Sequence, residues 1–398
     1  MPLNSRLETL GDNPFVRLTQ LLAEVPPKEG LTPIVMSVGE PQHATPPLVE
    51  RVLAENSALW NRYPPIAGTA EFREAAAQWL IRRYNLPSGL ISAERHILPL
   101  AGTKEGLFMA AAAIVPETKA GARPVVLMPN PFYQVYRGAA VMAGAVPIYL
   151  DATADTGFLP DLDAIPAEIL ARTALFYLGS PSNPQGAIAD IAYLRKAIEL
   201  ARTYDFVLIV DECYSEIYRD VPPPGILEAY AALSEKPANV LAFHSLSKRS
   251  NAAGLRAGFV AGDGRVIAAL LRLRNYGGAQ IPLPIQAAAA ALLRDESHVE
   301  ENRARYRRKF DIAESILQGK LGFYRPQGGF LLWLDAGDGE AAALRLWREA
   351  AVRVLPGPYL ARPDRLGVNP GQRYIRVALV HDEPIVAEGL ERLKRVLC

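Results

Sequence analysis

A lysine, two serines and an arginine lie close together in the segment HSLSKRSNAAGLRAGFVAGD, residues 244–263. Burial and a neighbouring cation lower the pKa of a lysine amine, which makes it a nucleophile toward a carbonyl. The hydroxyls of Ser245 and Ser247 and the guanidinium of Arg256 are donors that suit the oxygens of a phosphate. We therefore predict that Lys248 is a carbonyl-binding amine beside a phosphate site. The alternative is a surface loop whose charges are solvated.

Polar side chains also follow two apolar runs that read as buried strands. Asp211 comes directly after Phe206–Val210, and Asn183 lies in GSPSNPQG after Ala174–Leu178. An acid at the carboxyl end of a parallel strand faces the ligand crevice of an open α/β sheet, where it can pair with a cationic ring nitrogen. We expect Asn183 to donate to a ligand oxygen and Tyr214 to reach the same crevice. The alternatives are a helix N-cap for Asp211 and an ordinary turn around Asn183.

Three more positions could contact a ligand. Gly102–Thr103 opens a helix in AGTKEGLFMAAAAI, and the free N–H groups of such a start bind anions, although simple helix capping is the alternative. Tyr133 in NPFYQVY could lie flat on a planar group, or be a packing aromatic. Arg376 lies in the otherwise apolar RYIRVALV, where an unpaired cation is costly. A ligand carboxylate held by two N–H bonds would satisfy it, and so would a structural ion pair.

Together these residues predict one ligand, because their chemistry is complementary to the parts of a single molecule. Lys248 requires a carbonyl, Asp211 a cationic ring nitrogen and Tyr133 a flat face. Donors for a phosphate come from Gly102, Thr103, Lys104, Ser245 and Arg256, and partners for a phenolic oxygen from Asn183 and Tyr214. Pyridoxal phosphate carries all five groups, and its enzymes supply a lysine for its carbonyl and an acid for its pyridine nitrogen.

The elements that must position these residues alternate between about residues 90 and 285. Short apolar runs predict strands at Val125–Met128, Val146–Leu150, Ala174–Leu178, Phe206–Val210, Val240–Phe243 and Gly258–Ala261. Longer periodic stretches predict helices at Glu105–Val115, Tyr133–Ala143, Ile191–Tyr204 and Arg265–Tyr276. Continuous apolar strands that alternate with helices indicate a largely parallel sheet covered on both faces.

After Pro284 the pattern changes. A long helix is predicted at about Ile285–Leu317, followed by strands at Gly329–Leu334, Val352–Leu355 and Tyr374–Val380. This predicts a small α+β domain at residues 285–398 beside a large cofactor-binding domain at 48–284. We expect residues 1–47 to form an N-terminal arm that contributes to the small domain, because chain ends often lie close together.

Composition excludes several classes of function. The chain has 398 residues, enough for two domains, and its formal net charge of +1 gives no basic surface for nucleic acid or an acidic membrane. Met1–Arg6 lacks the apolar stretch of a signal peptide, and no apolar segment reads as a membrane span. Cys213 and Cys398 form neither a metal motif nor a disulfide framework, which favours a reducing compartment. We therefore expect a cytoplasmic protein with small-molecule substrates and no metal, nucleic-acid or membrane partner.

The motifs quoted above, in their order along the chain, resemble those of the fold-type-I pyridoxal-phosphate aminotransferases of the aspartate aminotransferase superfamily. The resemblance begins at SVGEP (37–41) and RYPPIAG (62–68), continues through DECYSEIY (211–218) and covers nearly the whole chain. It implies an α/β fold with a mostly parallel sheet between helices in a large domain, and a smaller α+β domain. It also implies pyridoxal phosphate as the cofactor.

The resemblance assigns roles to the candidate residues. It implies that Lys248 bonds to the cofactor's carbonyl and later moves protons, while Asp211 pairs with the ring nitrogen. The other implied cofactor contacts are Tyr214 and Asn183 at the ring hydroxyl, Tyr133 on the ring face, and Gly102, Thr103, Lys104, Ser245 and Arg256 around the phosphate. The implied site for the substrate α-carboxylate is Arg376, with Gly39 and Asn183 nearby. Tyr63 would reach the phosphate of a neighbouring subunit, which implies a homodimer.

Within the superfamily, SLSKRSN, NPFYQVYRGAA and ENRARYRRKF are most similar to the bacterial succinyldiaminopimelate aminotransferases of lysine biosynthesis, although NAAGLR departs from N-x-P-G-L-R. This implies reversible amino transfer between glutamate and the 6-oxo group of N-succinyl-2-amino-6-oxopimelate. One alternative is a related aminotransferase for aspartate, aromatic or N-acetylornithine-type substrates. The other is a cofactor-binding transcription regulator, which would need a DNA-binding helix-turn-helix; we expect no spare N-terminal length and no basic patch for one.

Overall fold

The computed structural model describes residues 3–233 and 238–398. Its strands are β1 (Ile34–Val35), β2 (Ile97–Leu100), β3 (Val125–Asn130), β4 (Val146–Asp151), β5 (Thr173–Gly179), β6 (Val207–Asp211), β7 (Val240–Ser245), β8 (Gly258–Gly262), β9 (Leu331–Asp335), β10 (Val352–Arg353), β11 (Leu355–Pro356) and β12 (Tyr374–Ala378). Its helices are α1 (Pro14–Leu22), α2 (Pro47–Glu55), α3 (Ala70–Tyr84), α4 (Ala93–His96), α5 (Thr103–Ile114), α6 (Gln134–Met142), α7 (Ala167–Arg172), α8 (Ile191–Thr203), α9 (Ile226–Ala231), α10 (Leu246–Arg249), α11 (Gly264–Arg274), α12 (Leu283–Arg294), α13 (Ser297–Leu317), α14 (Gly339–Ala350) and α15 (Glu383–Leu397).

A seven-stranded sheet forms the centre of the larger core, in the order β2-β8-β7-β6-β5-β3-β4. Strands β4, β3, β5, β6 and β7 are parallel, and β8 runs antiparallel to both of its neighbours. Helices α3, α8, α9 and α12 contribute to the apolar core on one face, and α5, α6 and α11 to the core on the other. The strands are apolar along their length because both faces are covered. The predicted α/β fold with a mostly parallel sheet is confirmed.

The carboxyl ends of the parallel strands bring polar residues to one edge of this sheet. Asp211 ends β6 and lies opposite Gly179 of β5. Ser245 ends the neighbouring strand β7, and Asn130 ends β3. These residues are therefore held at the ends of buried strands, and Asp211 and Ser245 line a cavity at this edge. This edge is where an open parallel sheet binds ligands.

A second apolar core lies around the three-stranded antiparallel sheet β11-β12-β9. Helices α13 and α15 pack against each other, and α14 packs against β11 and β12. The N-terminal segment joins this core through β1, in which Ile34 pairs parallel with Val352 of β10. The domain boundaries after residues 47 and 284 stay predictions. In the described residues, no helix combines the length and the apolarity that a membrane crossing requires.

The single helix predicted at about Ile285–Leu317 is wrong. The chain breaks between α12 and α13, where Asp295 adopts an extended backbone with φ −99° and ψ 123°. The Asp295 carboxylate accepts a hydrogen bond from the Ser297 hydroxyl at 2.7 Å, a local bond of the kind that competes with helix continuation. Helix α12 packs on α2 and α3, whereas α13 packs on α15. The break therefore lets the two segments join different cores.

Two strand predictions also differ from the structure. Ile97–Leu100 forms β2, which sequence reasoning did not predict, because a four-residue run containing a proline carries little periodicity. The single strand predicted at Val352–Leu355 is two short strands that pair with different partners, β1 and β12. In both cases the strand is defined by its pairing with a strand that is distant in sequence, which local periodicity does not reveal.

Candidate active site

A cavity of about 540 Å³ opens at the carboxyl edge of the large sheet. The candidate residues that line it are Gly39, Thr103, Lys104, Tyr133, Asn183, Asp211, Tyr214, Ser245, Lys248, Arg256 and Arg376. They come from the N-terminal segment, the large sheet and β12 of the smaller core. The fold thus brings together groups up to several hundred positions apart in sequence. Gly102 adjoins the lining through Thr103, and Tyr63 is not among the lining residues.

Lys248 lies on α10, a single turn of helix that begins directly after β7. Its N-cap Ser245 accepts a hydrogen bond from the backbone N–H of Ser247 at 3.1 Å, so the turn is fixed at its start. The ammonium donates to the backbone carbonyl of Gly39. Burial, together with the nearby Arg376 and Arg256 cations, lowers the pKa of Lys248 to about 8. A fraction of the amine is therefore neutral near pH 7, as nucleophilic attack requires.

Asp211 presents a partly buried carboxylate to the cavity. It accepts hydrogen bonds from the Tyr136 hydroxyl at 2.9 Å and from the backbone N–H of Cys213 at 3.2 Å. Burial raises the pKa of Asp211, and these two hydrogen bonds oppose that rise. A cation placed beside the carboxylate would stabilise the ionised form, so the geometry suits a protonated ring nitrogen.

The start of α5 and the β7–β8 connection meet around Gly102 and Arg256. Gly102 has φ +83°, and a Cβ built there would stand 2.1 Å from Nη2 of Arg256. Only a residue without a side chain lets the guanidinium approach the helix N-terminus this closely. Arg256 itself has a left-handed backbone and donates from Nη1 to the carbonyl of Ala253 at 2.9 Å. The N–H groups of α5 and this cation form a cradle for an anion.

Arg376 projects from β12 into the opposite side of the cavity. Its Nη1 donates to Oδ1 of Asn183 at 3.2 Å, and its Nη2 donates to the carbonyl of Ser37 at 2.8 Å. Burial lowers the pKa of Arg376 to about 10. Its Nε is buried without a hydrogen-bond partner among the described residues. Both of these acceptors are uncharged, so they do not neutralise the guanidinium. Its positive charge can therefore pair with the carboxylate of a ligand.

Two tyrosines complete the ring-binding side of the cavity. Tyr133 is the N-cap of α6, and burial raises its pKa to about 12. Tyr214 lies edge-on to Phe330 with the ring centroids 5.3 Å apart, and burial raises its pKa as well. Both hydroxyls therefore stay protonated at neutral pH and can donate to a ligand oxygen.

Sequence reasoning missed Tyr136 as a functional candidate. Its ring stacks on Tyr177 with the centroids 4.6 Å apart, and its hydroxyl binds Asp211. The available signal was its place in the same motif, NPFYQVY, three residues after Tyr133. Phe158 and Phe15 also line the cavity, and neither stands in a motif that could have drawn attention to it.

Tyr63 lies apart from its own chain's cavity. Its side chain is 100 % exposed, in a segment with Trp60 at 54 % and Ile66 at 37 % exposed. Exposed apolar groups that cluster in this way are typical of protein interfaces. The position is compatible with the expected role in a neighbouring subunit, which stays a prediction.

Comparisons with known proteins agree with this geometry. Residues 32–393 match the family described as aminotransferase class I and II. The chain is 33% identical to the LL-diaminopimelate aminotransferase of Desulforudis audaxviator, over 98% of this chain and 97% of that protein. It is also 33% identical to the 4-dedimethylamino-4-oxo-anhydrotetracycline transaminase OxyQ of Streptomyces rimosus, over 90% and 92% of the two chains.

A solved structure shows the same similarity in three dimensions. The crystal structure of an aminotransferase from Neisseria meningitidis superimposes with a TM-score of 0.94 and 38% identity, and covers 100% of both chains. The structural similarity therefore extends over the whole of the described fold. The chain therefore belongs to the class I and II aminotransferases, a family that depends on pyridoxal phosphate and acts on small molecules.

Proposed function

We propose that this aminotransferase transfers an amino group between glutamate and the 6-oxo group of N-succinyl-2-amino-6-oxopimelate, a step of lysine biosynthesis. The observation that carries amino transfer is the convergence of Lys248, Asp211 and Arg376 on one cavity. The substrate class is supported by full-length relatives named for diaminopimelate. The N-succinyl group is supported by the sequence motifs alone.

The residues of the cavity fit pyridoxal phosphate. We assign its phosphate to the cradle of Gly102, Thr103, Lys104, Ser245 and Arg256, where a Cβ at position 102 would collide with the guanidinium. We assign the ring nitrogen to Asp211, the ring hydroxyl to Asn183 and Tyr214, and the ring face to Tyr133. When bound, this cofactor supplies a carbonyl that condenses with amines and a ring that withdraws electrons.

The chain's own groups then bind the substrate and move its protons. Arg376 holds the substrate α-carboxylate through two N–H bonds, which fixes the α-carbon relative to Lys248. The amine of Lys248, with a pKa near 8, would take the proton from the substrate α-carbon and pass it to the carbon of the former cofactor carbonyl; in the reverse half of the cycle it would move a proton in the opposite direction. Asp211 stays ionised beside the cationic ring, and the Tyr136 hydroxyl keeps its carboxylate oriented.

A second candidate substrate is LL-diaminopimelate without the succinyl group. It is favoured by the relatives of that name, which are 30–33% identical to this chain. Both candidates share the α-amino acid end that Arg376 would bind. They differ only in the remote amino group, which is free and positively charged in one and acylated in the other.

We also propose a cytoplasmic homodimer in which Tyr63 of one subunit reaches the cofactor phosphate of the other. The support is the full exposure of Tyr63 and its absence from the residues that line its own chain's cavity. Each of the two sites would then contain residues from both chains.

A substrate panel tests the proposed function. Purified enzyme with pyridoxal phosphate and 2-oxoglutarate is given N-succinyl-LL-diaminopimelate, LL-diaminopimelate, N-acetylornithine or aspartate, and glutamate formation is measured. We expect the highest kcat/KM with the N-succinyl compound and no turnover by Lys248→Ala. A higher value with LL-diaminopimelate selects the second candidate. A higher value with N-acetylornithine or aspartate overturns both.

A further inference from the structure

Several apolar residues that line the active-site cavity have no part in the chemistry described above. We refer to Phe15, Val38, Phe158, Leu159, Pro160 and Leu360 together as the apolar wall; Phe158 and Leu360 belong to the same apolar cluster. We propose that Phe158 is the side chain of this wall that sets the chain length of the amino substrate that the enzyme prefers. The inference rests on the proposed function only for the identity of the natural substrate.

Phe158 is held in a backbone conformation that a phenylalanine rarely adopts. Its φ is +60°, in the left-handed region, and it follows Gly157, which is also left-handed. A bulky residue in this region needs compensating contacts, and such residues concentrate at functional sites. Here the backbone N–H of Phe158 donates to the carbonyl of Thr153 at 2.7 Å, which closes the turn. The turn aims the ring at the cavity.

The Phe158 ring is also fixed from behind. It stacks on Tyr324 with the centroids 5.0 Å apart and the planes 19° from parallel. The Tyr324 hydroxyl donates to the carbonyl of Gln185 at 2.8 Å, and Gln185 is buried. Both rings pack against the apolar cluster that contains Leu360. The side chains of the wall are therefore already ordered before a substrate binds. Binding against them loses little side-chain conformational entropy.

Phe15 adds to the wall from the N-terminal helix α1. Asn13 caps this helix by accepting from the backbone N–H of Phe15 at 3.0 Å, which fixes the first turn. The side chain of Phe15 is 39% exposed and lines the cavity. An aromatic side chain that is this exposed within one chain gains contact area when a substrate chain fills the cavity.

The charged residues of the cavity lining argue against a carboxylate-binding role for this wall. The cations that line it within the described part of the chain are Lys104, Lys248, Arg256 and Arg376. The proposed function assigns the first and third of these to the phosphate, the second to catalysis and the last to the α-carboxylate. Within one chain, a remote carboxylate of the substrate therefore meets no further cation in the cavity lining. The apolar wall is suited to contact the methylene groups of the substrate.

This recognition predicts a dependence on chain length. Each methylene group buried against an apolar wall contributes about fourfold to binding. The holoenzyme should therefore react with unbranched apolar 2-amino acids at a kcat/KM that rises about fourfold per methylene from four to seven carbons. The half-reaction is followed through the absorbance of the bound cofactor, so it needs neither a second substrate nor the natural acceptor.

Substitution of Phe158 gives the decisive comparison. We expect Phe158→Ala to reduce the increase per methylene from about fourfold to less than twofold, and Phe158→Met to retain most of it. The control is Leu366→Ala, because Leu366 is 88% exposed and outside the cavity lining. It should leave the series unchanged. Circular dichroism and cofactor absorbance establish that each variant is folded and loaded.

The outcomes separate this inference from the proposed function. A flat series in the wild-type enzyme overturns the inference, even if N-succinyl-LL-diaminopimelate proves to be the best substrate. An equal slope in wild type and Phe158→Ala overturns the role of Phe158. A rising series that Phe158→Ala flattens supports the inference, even if the substrate panel excludes both diaminopimelate compounds.

Discussion

Lys309 is a fully buried lysine outside the active site. Its Nζ lies 2.7 Å from Nε2 of His43 and donates to the carbonyl of Val380 at 3.3 Å. Burial lowers the pKa of Lys309 to about 7 and that of His43 to about 4. The charged groups that act on this pair are Arg305, Arg308, Asp382 and Glu383. The pair attaches the N-terminal segment to helix α13 of the small core.

We predict that Lys309 makes stability depend on pH. Its ordinary pKa of 10.5 falls to about 7 on folding, so between these values the unfolded chain binds more protons. The contribution of Lys309 to the free energy of unfolding therefore rises with pH in this window and is level below it. Between pH 7 and 9 the wild type should gain about 2 kcal/mol relative to Lys309→Met.

Urea unfolding of both proteins at pH 7, 8 and 9 measures this difference. Lys320→Met is the matched control, because it removes a lysine from the same part of the chain without touching the buried pair. The prediction fails if Lys309→Met and Lys320→Met show the same pH dependence.

Among single residues, the sequence predicted the location of those that stand in a recognisable local context, while their roles stay predictions. Lys248 and Asp211 each follow an apolar strand, so the sequence itself indicates that they end at a ligand-binding edge. The pairing of Lys309 with His43 joins positions 266 residues apart, and neither stands in a recognisable motif. Such a contact depends on tertiary packing, so periodicity and motifs could not predict it.

At the scale of elements, helix α5 depends on its first residues. Gly102 precedes the helix with φ +83°, and the space that its missing side chain leaves is occupied by Arg256. The helix N-terminus and the guanidinium therefore reach the same anion from two elements. This arrangement requires glycine for two reasons, the backbone conformation and the close approach.

We predict that Gly102→Ala weakens cofactor binding on the order of tenfold or more, because the new methyl group displaces Arg256 from the phosphate cradle. The control is Gly89→Ala, since Gly89 has φ +81° with nothing within 4 Å of a built Cβ. Gly89→Ala places alanine in the same left-handed backbone conformation, but its methyl group collides with no other atom. Titration of each apoenzyme with pyridoxal phosphate, followed by absorbance, gives the dissociation constants. Equal losses in the two variants would show that backbone strain alone is responsible.

Elements with a strong apolar pattern were predicted well. Elements whose boundaries depend on the segments that they pack against were not. The six predicted strands of the large sheet are confirmed because continuous apolar runs such as that of β6 have few alternatives. The break at Asp295 was missed because the sequence on both sides favours helix. Its physical cause is the separation of α12 and α13 between two cores, which local sequence does not encode.

At the scale of the whole molecule, the active site is assembled from distant parts of the chain. Gly39 comes from the N-terminal segment, Lys248 from helix α10 directly after the large sheet, and Arg376 from the small sheet. The carbonyl of Gly39 binds the Lys248 ammonium, and Arg376 binds Asn183 of the larger core. Composition and periodicity could not have placed these residues together. The family resemblance could, because it covers the whole chain.

The proposed homodimer leads to a prediction about shared sites. If Tyr63 binds the phosphate of the other subunit, Tyr63→Phe should weaken cofactor binding on the order of tenfold although its side chain is fully exposed in one chain. A hybrid of one Tyr63→Phe chain and one Lys248→Ala chain would contain one site with an intact lysine and an intact tyrosine. This hybrid should recover wild-type cofactor affinity and about half of the wild-type activity at limiting cofactor.

A second hybrid distinguishes shared sites from any other effect of the tyrosine. When both substitutions lie in one chain and its partner is wild type, the intact Lys248 faces the partner's substituted position 63. This hybrid carries the same two changes, but its active lysine should retain the weakened affinity. Differently tagged chains are co-expressed, and the hybrids are purified through both tags and titrated with pyridoxal phosphate. Equal affinity in the two hybrids would place Tyr63 outside the neighbouring site, because only a contribution across the interface makes the arrangement of the substitutions matter.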